Sequence, residues 1–259
     1  MFEPGFDQAA GLRSDAQRLR PGPSLMPLAS PALPSRAFEW LCQLAMDLSD
    51  AGHAVAVIDA TATERAGTPD GLLGALNDPS VAQLGPAHAR GDWLVMPGRR
   101  GLQALQATAR AGGADAALSR LFAPFASDVL VLLYAPAQDL ATLLADAPAR
   151  VLVPVIDQPQ ASIDAYGALK WLHAAGLSPV LAPLDAPPQV LANVADCALR
   201  HLGLKTPVWP RAEWARRLPD SALVQAGAPL FADPSTARGI RAGLDSTVRQ
   251  PLATHPLWS

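Results

Sequence analysis

From Ser24 to Val208, short apolar runs alternate with stretches whose apolar residues recur every three or four positions. The runs at Ser24–Ala29, Ala54–Asp59, Asp92–Met96, Asp128–Tyr134, Arg150–Ile156, Pro179–Ala182 and Thr206–Val208 predict strands. Several are unbroken stretches of Val, Leu and Ile, the pattern of strands covered on both faces. Phe38, Leu41, Cys42, Ala45 and Leu48 instead repeat at helical spacing, and Gly52 is placed to end that helix. Ile163, Tyr166, Leu169, Lys170 and Leu172 predict a second helix, and Val190, Val194, Cys197 and His201 a third. Strand–helix alternation of this length predicts an α/β fold: a doubly wound, mainly parallel sheet flanked by helices. Two prolines around Gly22 close off an N-terminal arm, so the expected organisation is arm 1–23, α/β domain 24–250 and tail 251–259.

Composition narrows the function more than the fold. Half of the 259 residues are hydrophobic and 17% are charged, ample for a packed core. The net charge of −3 gives no electrostatic footprint for nucleic acid, and none is expected as a partner. Cys42 and Cys197 fall in apolar helical patterns, which predicts buried thiols in a reducing compartment. With no basic-then-apolar leader and no apolar run of membrane-spanning length, a cytoplasmic location is expected.

Candidate chemistry is sparse. His53, His88, His173, His201 and His255 are scattered without metal-ligand spacing, so no metal is expected. No nucleophile elbow of the GxSxG type occurs. The GRRG segment Gly98–Gly101 follows a predicted strand and reads as a solvated turn, with Arg99 and Arg100 the groups that would meet an anion. Asp157 and Asp164 bracket a loop and read as helix-capping residues before they read as an acid/base pair. Trp209 and Trp214, with Arg211, Arg216 and Arg217, form an aromatic–basic cluster that is either a docking surface or a helix covering the sheet.

Several segments in order resemble the MinD/ParA-type ATPases, with a deviant phosphate loop, and within them the flagellar-number regulators of the FlhG (FleN) group. "DQAAGLR" at Asp7–Arg13 resembles the N-terminal activator motif of that group, with Asp7, Gln8, Ala9, Gly11, Leu12 and Arg13 on its positions. "LAMDLSDAGHAVAVIDA" from Leu44 is similar to the first helix and second strand, and "LLGAL" at Leu72–Leu76 to the segment after switch I. "VLVPVIDQPQASIDAYGALKWLHAAG" from Val151 resembles a later strand–loop–helix, with Asp164, Ala165 and Tyr166 as a signature. "SALVQAGAPLFADPSTARGI" from Ser221 resembles the terminal Ala-rich stretch.

The departures from that family bear on activity. An ungapped count back from Gly52 puts its KGGVGKT loop on Ala32–Phe38. The two lysine positions become Ala32 and Ala37, the glycines become Leu33, Pro34 and Arg36, and the Mg²⁺-binding hydroxyl becomes Phe38. Such a loop holds phosphate through successive backbone N–H groups, with glycines letting the chain approach closely. Proline has no N–H, and side chains at glycine positions fill the space phosphate would take. The strand that should lead to switch II ends in Tyr134-Ala135-Pro136, and Asp59 alone keeps a switch I-like position. No cofactor is therefore expected, no catalytic residue is assigned, and the family's ATP-bridged dimer is not expected. The alternatives are an active ATPase using ATP and Mg²⁺ through an atypical loop, and a scaffold unrelated to flagella.

The resemblance places function in the arm instead. Its partner would be an SRP-type GTPase similar to FlhF, with Gln8 beside the nucleotide and Asp7 and Arg13 holding the helix. Flagellar basal-body or regulatory proteins, and peripheral association with the inner membrane or pole, are further implications. The C-terminal "ARGIRAGLDSTVRQPLATHPLWS" is only weakly amphipathic, with Leu257 and Trp258 as candidate anchors.

Overall fold

The structure is a computed structural model and describes residues 22–224, apart from 33, 66–70 and 79–92 and the side chains of 34–36. The elements are β1 (Ser24–Ser30), α1 (Pro34–Asp50), β2 (Ala54–Asp59), α2 (Leu72–Asn77), β3 (Trp93–Pro97), α3 (Arg99–Phe122), β4 (Val129–Pro136), α4 (Ala137–Leu143), β5 (Arg150–Ile156), α5 (Ala161–Ala174), β6 (Ser178–Leu184), α6 (Pro188–Leu202), α7 (Trp214–Ser221) and β7 (Leu223–Val224). A single 3₁₀ turn, Arg211–Glu213, precedes α7.

Six parallel strands lie in the order β3-β2-β4-β1-β5-β6, and β7 pairs antiparallel with the start of β1. The expected doubly wound, mainly parallel α/β architecture is the one observed. The strands form where the apolar runs are because each run is buried on both sides. Val131, Leu133 and Ala135 of β4 belong to one core layer, and Leu130, Leu132 and Tyr134 to the other. α1 and α7 cover the second layer, while α3, α4, α5 and α6 cover the first. The connection leaving β1 runs toward β2, whereas that leaving β4 passes β1 to reach β5. Adjacent strands whose connections diverge open a crevice at their carboxyl ends, where ligands of such sheets bind.

Gly52 stops α1 as expected. At φ +94° it lets its own N–H reach Ser49 O (2.9 Å) and His53 N–H reach Leu48 O (3.1 Å), a Schellman closure. Two sequence expectations need correction. Thr206–Val208 is not a ladder strand: it makes one parallel bridge, Leu181 to Val208, with bonds Leu181 N to Pro207 O and Trp209 N to Leu181 O, both 2.9 Å. The chain then turns away to seat Trp209. Cys42 and Cys197 are half-buried and unpaired rather than fully buried, because each sits at the margin of its helix's apolar face.

Candidate functional site

The crevice between β1 and β4 is where the sequence places the degenerate loop. β1 ends at Ser30 and α1 already begins at Pro34, so three residues, 31–33, join them. Pro34 suits this start, since its φ is preset for a helix and its missing N–H would be unpaired in the first turn. A phosphate-cradling loop spends about six residues between strand and helix. Here α1 begins at Pro34, four positions after the last residue of β1.

Ala32 is exposed in the bend, and Ala37 is fully buried one turn into α1. Pro34 and Arg36 belong to the first turn of α1. Phe38, half-buried, leans on Tyr134 with ring centroids 6.2 Å apart and planes at 53°. Tyr134 is wholly buried, and burial, then the charge of Asp59, pushes its phenol well above the ordinary range. The same two causes, in the same order, push the Cys42 thiol up. Asp59 ends β2 level with Tyr134. Its Oδ1 accepts from Thr61 N–H at 2.9 Å and Thr61 Oγ1–H at 2.6 Å, a side-chain-stabilised turn. Among the described residues Asp59 forms no ion pair. Phe38 and Tyr134 therefore stand at this end of the sheet, beside a carboxylate that bonds its own turn. Asp7, Gln8, Ala9, Gly11, Leu12, Arg13 and Leu33 lie outside the described residues.

A cavity of about 430 Å³ opens beside it, between α1 and the ends of β5 and β6. Trp40, Ile156 and Leu184 give it apolar walls; Glu39, Gln43, Asp157, Asp185 and Arg211 give it polar ones. Three carboxylates against one guanidinium repel a polyphosphate more than they attract it.

Glu64 is a residue that sequence reasoning missed. It is 4% exposed, and its carboxylate accepts the N–H groups of Arg100 (2.7 Å) and Gly101 (2.8 Å) at the start of α3. Burial alone would raise its pKa, but these N–H donors, with those of Glu64 and Leu73, leave it lowered. The GRRG turn is thus not an open anion site: its N–H groups already hold the chain's own carboxylate. Gly98 and Gly101 are required by close packing, since a Cβ would lie 2.4 Å from Ile58 Cγ2 and 2.5 Å from Leu72 Cγ respectively. That glycine spacing was the available sequence signal, although it could not name the glutamate.

The remaining candidates separate. Asp157 is exposed on the cavity, while Asp164 lies in the first turn of α5. Gln160 occupies the N-cap and no side-chain bond closes that end, so the capping expectation is not met; Asp164 acts there through its charge. Trp209 and Trp214 are buried, joined by Trp214 Nε1–H to Trp209 O at 2.7 Å, with Trp214 edge-on to Trp40 at 4.9 Å. The guanidinium groups of Arg150 and Arg217 stack on Trp209 at 5.9 and 5.6 Å. This cluster is a helix covering the sheet.

No family model matches the sequence, and no curated protein is similar to it. Among solved structures the chain is similar to an ATP complex of a variant McdA from Cyanothece (15% identity, 77% of this chain and 88% of that one, TM-score 0.45). It is similar to a ParA family ATPase from Chlorobium tepidum (12%, 76% and 90%, TM-score 0.45). A chain of the MinC:MinD cell division protein complex of Aquifex aeolicus is a third (12%, 89% and 98%, TM-score 0.41). Values this low add nothing to the fold class, which rests on the chain's own strand order: a doubly wound α/β sheet with its switch point between β1 and β4.

Proposed function

We propose that this chain is a non-catalytic relative of the MinD/ParA-type ATPases that acts by protein–protein interaction. In that reading it regulates an SRP-type GTPase through the Asp7–Arg13 motif, as the FlhG-like resemblance implies. What supports the non-catalytic part is the short β1–α1 connection, with α1 starting at Pro34 four positions after β1 ends at Ser30, and Phe38 lying on Tyr134. Phosphate would find no lysine at Ala32 or Ala37 and no glycine from Ala32 to Phe38 to let the chain curl around it. The net acidic cavity at the ends of β5 and β6 points the same way. On this reading Asp7, Gln8, Ala9, Gly11, Leu12 and Arg13 carry the activity, as the resemblance implies.

The nucleotide half of this reading is tested by titrating the full chain calorimetrically with ATP and Mg²⁺. No binding is expected up to millimolar ATP; micromolar binding that Asp59→Ala abolishes would overturn it. The partner half is tested by co-purification with an FlhF-like GTPase, with and without residues 1–23. Retention of full binding after removal of the arm would overturn that half.

A further inference from the structure

The cavity between α1 and the ends of β5 and β6 repels polyphosphate, and the same lining specifies what it attracts. Glu39 of α1, Asp157 after β5, Asp185 after β6 and Arg211 are all exposed in its lining. Among the described residues none of these four side chains is in an ion pair, so three negative charges stand against one positive charge. Among the described residues no three His, Cys, Asp or Glu are placed to hold one metal ion, so the carboxylates do not converge on a point. Their arrangement suits an organic cation on an apolar stem, with Trp40, Ile156 and Leu184 as walls for the stem. Gln43 lines the cavity too; its Nε2 donates to Asp47 at 3.0 Å, which leaves its amide oxygen to accept. A guanidinium, planar and weakly hydrated, fits such a setting better than an ammonium does.

We infer that the cavity holds Arg13 of the chain's own N-terminal arm, with Leu12 alongside. Reach selects that arginine. The arm joins the sheet at the amino end of β1, whereas the cavity lies at the carboxyl ends of β5 and β6. β1 is seven residues long, so the two places are roughly 20 Å apart along the strands, and one to two strand spacings add about 5–10 Å across. Arg20 precedes Ser24 by four residues and reaches at most about 14 Å; Arg18 precedes it by six and reaches about 22 Å, too little once the offset is added. Arg13 precedes it by eleven residues, at most about 36–40 Å, enough to pass along the flank of the domain and enter. Leu12, its neighbour, supplies an apolar side chain for the Trp40, Ile156 and Leu184 walls.

The docked state does not depend on what the arm binds. Its consequence does, and rests on the proposed function: Leu12 and Arg13 belong to the partner motif, so docking withholds that motif. The arm's apparent affinity for a partner is then lowered in proportion to the undocked fraction.

Disulfide trapping in the full chain tests the inference, in a Cys42→Ser, Cys197→Ser background and with circular dichroism to check each variant's fold. Leu12→Cys with Gln43→Cys, at low protein concentration under mild oxidation, is expected to close an intramolecular disulfide. Leu12→Cys with Ser119→Cys, an exposed position on α3 in the other layer, gives the rate of chance encounter, and closure at Gln43 should be at least roughly 3-fold faster. Adding Arg13→Glu should slow closure at Gln43 roughly 3–10-fold, and Asp157→Lys with Asp185→Lys should slow it alike. Combining the three reversals should restore it. Closure no faster than the control, indifference to Arg13→Glu, a combined variant that stays slow, or disulfides that form only between copies would each overturn the inference. No GTPase enters the measurement, so its failure is distinct from a failure of the partner reading.

Discussion

Replacing Glu64 by Gln isolates the contact that ties the segment after β2 to the start of α3. The carboxylate accepts two backbone N–H groups at 2.7 and 2.8 Å while 4% exposed. Gln keeps one acceptor oxygen but sets its NH₂ against the other N–H. The loss is one charge-assisted bond, about 1.5–3 kcal/mol, plus about 0.3–1 kcal/mol for removing an anion from a helix N-terminus. A destabilisation of about 2–4 kcal/mol follows, read as a urea midpoint shift of roughly 0.7–2 M at an m-value of about 2–3 kcal/mol/M. The sign of its pH dependence is fixed as well. The folded pKa of Glu64 lies below the ordinary value of 4.5, so the unfolded chain binds the proton more readily. The stabilisation is complete above that unfolded value and disappears as pH falls through it toward the folded pKa. The gap between the two proteins should be widest near neutral pH and narrow as pH falls below 4.5. A midpoint shift equivalent to less than about 0.5 kcal/mol at pH 7, or a gap that widens on acidification, would refute the reasoning.

Gly101→Ala should cost about 1–3 kcal/mol, because the new methyl would sit 2.5 Å from Leu72 Cγ in a packed contact; the melting temperature should fall by roughly 2–12 °C. Trp214→Ala should destabilise by about 3–5 kcal/mol in chemical denaturation, since it removes the bond to Trp209 O and the edge contact with Trp40 together. Cys42 should react slowly with a disulfide reagent at pH 8, its thiol being raised by burial first and by Asp59 second. Asp59→Asn should speed that reaction modestly, and an unchanged or slower rate would contradict the assignment.

Much of the architecture was legible because the strands are buried on both faces and so read as unbroken apolar runs. β2 and β5 fall at the residues expected, Ala54–Asp59 and Arg150–Ile156. Gly52 was legible for a local reason, since only glycine takes φ +94° without strain at the end of α1. What was hidden depends on partners distant in sequence. Glu64 meets Arg100 and Gly101 across 36 and 37 positions, and nothing in its own neighbourhood marks it. β7 is two residues long and exists only because Leu25 and Ser24 offer an edge. At the crevice the missing glycines and lysines were readable directly. The early start of α1 and the placing of Phe38 on Tyr134 were not, because they depend on how strand and helix meet in space.

The central claim is that the chain works through its arm and without nucleotide. GTP hydrolysis by an FlhF-like SRP-type GTPase, measured with the full chain in the presence and absence of ATP and Mg²⁺, tests it most directly. The account predicts stimulation of the same size in both conditions, abolished by Gln8→Ala and by removal of residues 1–23. Stimulation that requires ATP, survives Gln8→Ala, or never appears would contradict it.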